Sequence, residues 1–254
     1  MSSLRLDRED PLAIVRLDKA RGNAIDEPLV DELLDAIARI AADSEIRGVL
    51  LASAHPKLFC PGLDLLTLSE YDRPALTRFI HKFGDLVHAL YGLEKPIVAA
   101  LSGHAIAGGC ILALTADWRV LRRGAQVGLN EVKVGVPLPW SVALLLRDSV
   151  SPRALTQCAL LGSNFVDDAA LAAGLADELA DADTLGAMSM ERLGELAEKD
   201  ASAFGLTKRY LRARTLEAMK AHEHRLSEDF VDAWFSDTTQ TRIREIAASL
   251  GRKG

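Results

Sequence analysis

The chain has 254 residues, 49% hydrophobic and 26% charged, a globular balance that suits one large domain or a domain with an appendage. A net charge of −6 gives no basic footprint for nucleic acid, and no run approaches the roughly 18 consecutive apolar residues of a membrane span. Three scattered cysteines (Cys60, Cys110, Cys158) form neither a disulfide framework nor a zinc site, and the polar segment 1–11 lacks the apolar stretch of a secretion signal, so a reducing cytoplasm is expected.

Leu12–Leu17 reads as a strand, and Gly22-Asn23 as the loop after it. In 27–43 the apolar residues Val30, Leu33, Leu34, Ile37 and Ala41 recur with a 3.6-residue period, predicting an amphipathic helix. A short apolar strand follows at 46–52, with Gly48 inside it, then a helix at 74–93 and a buried strand at Ile97–Leu101. A helix of small and apolar residues is predicted over 108–116, and strands at 118–121 and 132–136. Strand–helix alternation of this kind predicts an α/β core with a largely covered sheet. After about Asp181 the strand signals vanish and helical periods run to Leu250, which divides the chain into a core (1–180) and a helical region (181–254) packed on the core or on a neighbouring subunit. No internal sequence repeat stands out.

Three loops carry residues suited to chemistry. The first is Ser102-Gly103-His104-Ala105-Ile106-Ala107-Gly108-Gly109-Cys110, between a strand and a helix. Gly108 and Gly109 let a ligand approach the main chain, and free N–H groups at a helix start can hold a developing oxyanion. Taken alone, the loop serves equally well as a tightly packed connection. It lacks the Lys-Ser/Thr of a P-loop, and no dinucleotide fingerprint occurs. The second is Phe59-Cys60-Pro61-Gly62-Leu63-Asp64, where Pro61-Gly62 demands a turn. The third is Gly128-Leu129-Asn130-Glu131, ahead of an apolar stretch; a poorly solvated carboxylate there becomes a stronger base, although a lone loop glutamate is more often exposed. His104 reads as structural, Asp117 as a maker of local backbone bonds, and the basic run 208–214 as a solvated helix face, with contact to a ligand phosphate as the alternative. His222 and His224 point to different sides of one helix and do not share a metal.

In order, spacing and sequence these loops resemble the crotonase (enoyl-CoA hydratase/isomerase) superfamily. The likeness spans nearly the whole chain, from Arg21-Gly22-Asn23-Ala24 to the C-terminal helices. It implies an α/β spiral of ββα turns with a C-terminal helical region that assembles homotrimers or hexamers. The implied substrate is an acyl-CoA thioester, with no separate cofactor and no metal. It puts the oxyanion-hole donors on the N–H groups of Leu63 and Gly108, and the CoA-holding loops around Ala24 and at Gly62, Leu63, Asp64 and Leu65.

The departures from the pattern are as telling as the match. Hydratases of this superfamily use two glutamates; one maps onto Glu131, but the other maps onto Ile111, which moves no proton. Where hydratases tend to have glycine, this chain has Val136-Pro137-Leu138-Pro139-Trp140, and this segment, the Gly-Leu-Asn-Glu string and the tail 230–237 are similar to mitochondrial-type Δ3-Δ2-enoyl-CoA isomerases. The expectation is an isomerase with Glu131 as its sole acid/base. The alternatives are a hydratase-like enzyme, an acyl-CoA hydrolase, and a non-catalytic acyl-CoA-binding homologue whose trimer surface is the functional part.

Overall fold

The computed structural model describes residues 3–20 and 22–251, the side chains of 249–251 apart, so Arg21 and the side chain of Leu250 lie outside the described residues. Two strands, β1 (Leu4–Glu9) and β2 (Leu12–Leu17), precede α1 (Glu27–Ala42). One pattern then recurs three times. The first turn is β3 (Gly48–Ser53), β4 (Leu58–Cys60), α2 (Leu65–Leu68) and α3 (Arg73–Gly92). The second is β5 (Ile97–Leu101), β6 (His104–Ile106) and α4 (Gly108–Leu114), and the third is β7 (Trp118–Arg122), β8 (Gln126–Gly128), α5 (Glu131–Val134) and α6 (Trp140–Ser149). A π-helix (Thr156–Leu160), β9 (Asn164–Val166), α7 (Asp167–Ala173) and β10 (Glu178–Ala180) follow. The elements after Ala180 are all helical: α8 (Leu185–Ala197), α9 (Ala201–Trp234) and α10 (Asp237–Gly251).

In every turn the first strand joins one sheet and the second strand joins another. The larger sheet has the order β1-β2-β3-β5-β7-β10, parallel except for the β1–β2 pair; the smaller is β4-β6-β8-β9, parallel except for β8–β9. The chain is thus a spiral of ββα turns with a helical C-terminal region. Both faces of the larger sheet are covered at β3 and β5, which explains why those strands read as continuous apolar runs. Val49 and Leu51 of β3 join the main core, whereas Leu50 and Ala52, on the opposite face, pack beneath α8 with Leu193. Ile97, Ala99 and Leu101 of β5 alternate with Val98 and Ala100 in the same way.

The helices form for local reasons. Asp26 caps α1 by accepting from the Leu29 N–H, and Asp72 caps α3 from Ala75, each with proline in the first turn. The buried stripe of α1 includes Val30, Leu33, Ile37 and Ile40, while Ala41 is exposed. Residues 132–136 are a correction: the expected strand is one turn of helix, α5, ended by Gly135 in the left-handed region at φ 108°. A short apolar run does not distinguish the two.

The basic run on α9 is a second correction. Lys208 is buried; its Nζ lies 2.6 Å from Asp117 Oδ2, and Arg212 Nη2 lies 2.8 Å from Asp117 Oδ1. Asp117 therefore makes long-range ion pairs, and its Oδ2 also accepts from the Ile97 N–H at 2.8 Å. This clamp fixes α9 to the starts of β5 and β7. α9 has 34 residues, roughly 50 Å of helix, and lies along α3 and α6. His224 stacks on His81 of α3, while His222 meets the edge of Trp140.

Candidate active site

The three loops singled out in the sequence occupy equivalent places in successive turns. Each follows the short second strand: Leu63 after β4, Gly108 after β6, Glu131 after β8. Because β4, β6 and β8 are adjacent and parallel, their C-terminal ends are side by side. All three residues line one cavity of about 670 Å³, together with Ala24, Asp64, Leu65 and Ile111. Gly62 stands directly behind Leu63.

The two main-chain donors are set by different devices. Leu63 forms a parallel bridge with Ile25, in which the Ile25 N–H donates to Gly62 O and the Asp64 N–H to Ile25 O, both at 2.8 Å. Alternation along the extended chain turns the Leu63 N–H the opposite way. Gly108 opens α4, so its N–H has no partner within the helix. Among the described residues neither N–H donates to a main-chain carbonyl. The preceding Ala107 has φ 50° and ψ −120°, a costly conformation for a residue with a side chain, and it aims the Gly108 N–H. The loops touch: a Cβ on Gly62 would sit 3.2 Å from Gly108 N.

The loop of Ala24 is locked beside them. Buried Asn23, at φ 69°, donates through Nδ2 to Ser53 Oγ and Phe59 O. Lys19 Nζ reaches the Ala24 carbonyl at 2.6 Å, Asp26 at 2.8 Å and Asp64 at 3.7 Å. Lys19 carried no motif in the sequence; only the folded loop reveals its reach.

Glu131 is the first residue of α5 and only 7% exposed. Its Oε2 has no hydrogen-bond partner. Burial pushes its carboxyl from the usual 4.5 up to about 7, against a smaller downward pull from the N–H groups of Glu131 and Asn130. Cys110 of α4 lies close enough for the Glu131 charge to add to the burial that raises its thiol. The other carboxylate on the cavity wall among the described residues, Asp64, is occupied: it caps α2 through the Thr67 N–H at 3.2 Å and faces Lys19. Ile111, where a second acid would stand, is apolar and 2% exposed.

Apart from Asn130, which precedes Glu131, the side chains of the remaining wall are apolar, among them Ile80 and Phe83 from α3, Val136 and Pro139 ahead of α6, Phe230 and Trp234 from α9, and Ile246 from α10. The sequence reading placed a helix over 74–93 but singled out neither Ile80 nor Phe83. Trp234 and Ile243, expected to bury against the core or a neighbour, are each 1% exposed within their own chain, and Phe235 is half-buried under the Arg73 guanidinium. His104 stays outside the cavity and accepts from the Gln126 N–H through Nδ1. Among the described residues no cluster of His, Cys, Asp and Glu is arranged to hold a metal ion, and no helix is long and apolar enough to cross a membrane.

This arrangement offers two main-chain donors, a partly neutral carboxyl and an apolar chamber, and known proteins share its frame. The chain is 25% identical over 235 residues to human mitochondrial enoyl-CoA delta isomerase 1, covering 92% of this chain and 78% of that protein. It is 29% identical over 197 residues to carnitinyl-CoA dehydratase of Salmonella typhi, covering 78% and 74%. The crystal structure of human mitochondrial Δ3-Δ2-enoyl-CoA isomerase superposes with a TM-score of 0.94 over 99% of both chains at 23% identity, which speaks for the fold alone. The profile of the enoyl-CoA hydratase/isomerase family matches residues 7–245. The chain is therefore a member of the enoyl-CoA hydratase/isomerase, or crotonase, family.

Proposed function

We propose that the protein is an acyl-CoA Δ3-Δ2-enoyl isomerase in which Glu131 is the sole acid/base. The observation that carries the reading is a buried carboxyl with a free Oε2, raised to about 7, in a chamber where Ile111 replaces a second acid. Moving a double bond from C3–C4 to C2–C3 needs one proton taken from C2 and one delivered to C4. A single carboxylate above one face of the acyl chain does both, ending in the state in which it began. Between the two steps the dienolate carries its charge on the thioester oxygen, where the N–H groups of Leu63 and Gly108 receive it; each such donor is worth about 3–4 kcal/mol.

Hydration asks for more. A water molecule must be held, deprotonated and added while C2 gains a proton, and a held water needs two to four polar partners. Ile111, Val136 and Pro139 supply none. The likeness to a dehydratase keeps hydration as the second reading. Incubating the protein with 3-hexenoyl-CoA and with 2-hexenoyl-CoA separates the two. The expected result is 2-hexenoyl-CoA from the former without solvent oxygen in the product. Hydration of 2-hexenoyl-CoA much faster than isomerisation would overturn the reading.

Assembly as a homotrimer or hexamer in the cytoplasm belongs to the same proposal. Leu160 and Leu161 at the end of the π-helix, and Tyr210 and Leu211 on α9, are 59–80% exposed, apolar side chains that further copies of the chain would cover. Light scattering is expected to give three or six times the 27.5 kDa chain mass; a mass equal to that of one chain would remove the claim.

A further inference from the structure

α5 is a helix of four residues, far too short to persist by itself. Its N-terminus has no side-chain cap, since Asn130 makes none. Its C-terminus is tied down. The N–H groups of Gly135 and Val136 both donate to the Glu131 carbonyl, at 3.0 and 3.2 Å. The Gly135 carbonyl in turn accepts from Thr239 Oγ1 at 2.9 Å, across 104 residues of sequence. Thr239 is 1% exposed, and its hydroxyl lies 3.1 Å from Ser236 Oγ. The contact leaves no slack: a Cβ on Gly135 would fall 2.6 Å from Thr239 Oγ1. Thr239 belongs to α10, which also lends Ile246 to the cavity wall.

We propose that Thr239 is a positioning residue for Glu131: its hydroxyl holds the Gly135 carbonyl, and with it the single helical turn that presents the carboxylate to the cavity. Thr239 touches no reacting atom. It acts through the main chain of α5, fixing where the Glu131 carboxyl stands and how little water reaches it. The inference rests on Glu131 being the acid/base, and extends that reading to a residue on a distant element.

The physical consequence of losing the hydroxyl is specific. The half-buried Gly135 carbonyl is left without its donor, and α5 satisfies it by shifting toward water. A displacement of about 1 Å at a reacting group is enough to cost on the order of 100-fold in rate. The Leu63 and Gly108 donors stand in the loop after β4 and at the start of α4, whereas the hydrogen bonds of Thr239 go to Gly135 and Ser236. Binding of a thioester should therefore survive while turnover falls. The charged and titratable groups near α5 are Cys110 from α4, Asp64 across the cavity, Lys133 on α5 itself and Arg242 from α10. All of them remain in the variants.

The test uses Thr239→Val, which keeps the branched shape, and Thr239→Ala, which removes any crowding by the new methyl, with Thr239→Ser as the restoring variant. Three quantities are read: kcat for 3-hexenoyl-CoA, the dissociation constant of unreactive hexanoyl-CoA, and the change of Tm between pH 5 and pH 8. The expected result for Val and Ala is a kcat lower by about 10- to 100-fold, hexanoyl-CoA affinity within about twofold, and a flatter dependence of Tm on pH. The last follows because a better-hydrated Glu131 titrates closer to its value in the unfolded chain. Thr239→Ser should restore all three. A folded Val or Ala variant with unchanged kcat and an unchanged pH dependence of Tm would overturn the proposal. A lowered Tm alone, with both of those unchanged, would also overturn it, because it would show a purely structural role. The pH dependence of Tm needs no turnover. If the wild-type protein proves not to be an isomerase, that readout still decides whether Thr239 sets the environment of Glu131.

Discussion

Glu131→Gln is expected to lower isomerase turnover by at least ~100-fold, the lower end of what a positioned acid/base contributes, while unreactive acyl-CoA still binds. Glutamine keeps the shape and removes the basicity, and the donors on Leu63 and Gly108 are main-chain groups that the change does not reach. In the wild type the acid limb of kcat/KM should have its midpoint near 7, because Glu131 must be ionised to accept the C2 proton and burial has raised it to about 7. The same shift acts on stability with a definite sign. A carboxyl that holds its proton more tightly in the folded chain than in the unfolded one stabilises the fold at low pH, and that contribution is lost as pH rises from about 4.5 through about 7. Glutamine has no such slope. The Tm of the variant should therefore gain on the wild type between pH 5 and pH 8. Near-normal turnover in the variant would remove Glu131 from the mechanism and make Asp64 the next candidate.

Gly109→Ala is expected to be severely destabilising for the addition of a single methyl. A Cβ there would lie 2.1 Å from the Cys60 carbonyl oxygen and 2.8 Å from its carbon, both main-chain atoms that cannot swing aside. Ordinary overpacking costs about 1–3 kcal/mol because side chains give way; here β4 and α4 must part. Cys60 leads into Pro61-Gly62-Leu63, so parting them separates the two donors as well. The expected outcome is a large fall in Tm, with residual folded protein that turns over poorly. Gly186→Ala in α8 is the control. Its Cβ would meet nothing within 4 Å, and alanine there should be neutral or stabilising by up to ~1 kcal/mol. Equal Tm values for the two variants would mean that the β4–α4 contact is not as tight as described.

The parts of the fold that could be read in advance are those with enough residues to show a period. α1, α3 and β5 were legible because one face, or both, must be apolar along 5 to 20 residues. β1 was missed because its alternation is hidden: five of its six residues are exposed. β4, β6, β8, β9 and β10 have three residues each, too few for any period. The candidate site was legible for another reason. No loop was decisive alone; Gly62, Gly108 and the glutamate after Gly128 became legible together because their loops keep a family's order. What stayed hidden were groups defined by partners far along the chain. Lys208 and Arg212 looked like a solvated face because Asp117 is 91 and 95 residues away. Thr239 stood in no motif, because nothing in its sequence neighbourhood announces Gly135.

The order of the small sheet has a consequence of its own. Leu63, Gly108 and Glu131 come from three adjacent strands, and neighbouring strands lie roughly 4.8 Å apart. On the proposed reading the spacing acts as a ruler with three marks: two donors one step apart, and Glu131 one step further on. A thioester laid across these marks meets the donors at its oxygen and the carboxylate along its carbon chain. Backbone pairing, not side-chain choice, sets that interval. The residue at the third mark can therefore change the reaction without disturbing the two main-chain donors, and Ile111, on the wall of the same cavity, can change it again. Three strands of three residues, too short to be noticed in the sequence, are what keep that scale constant.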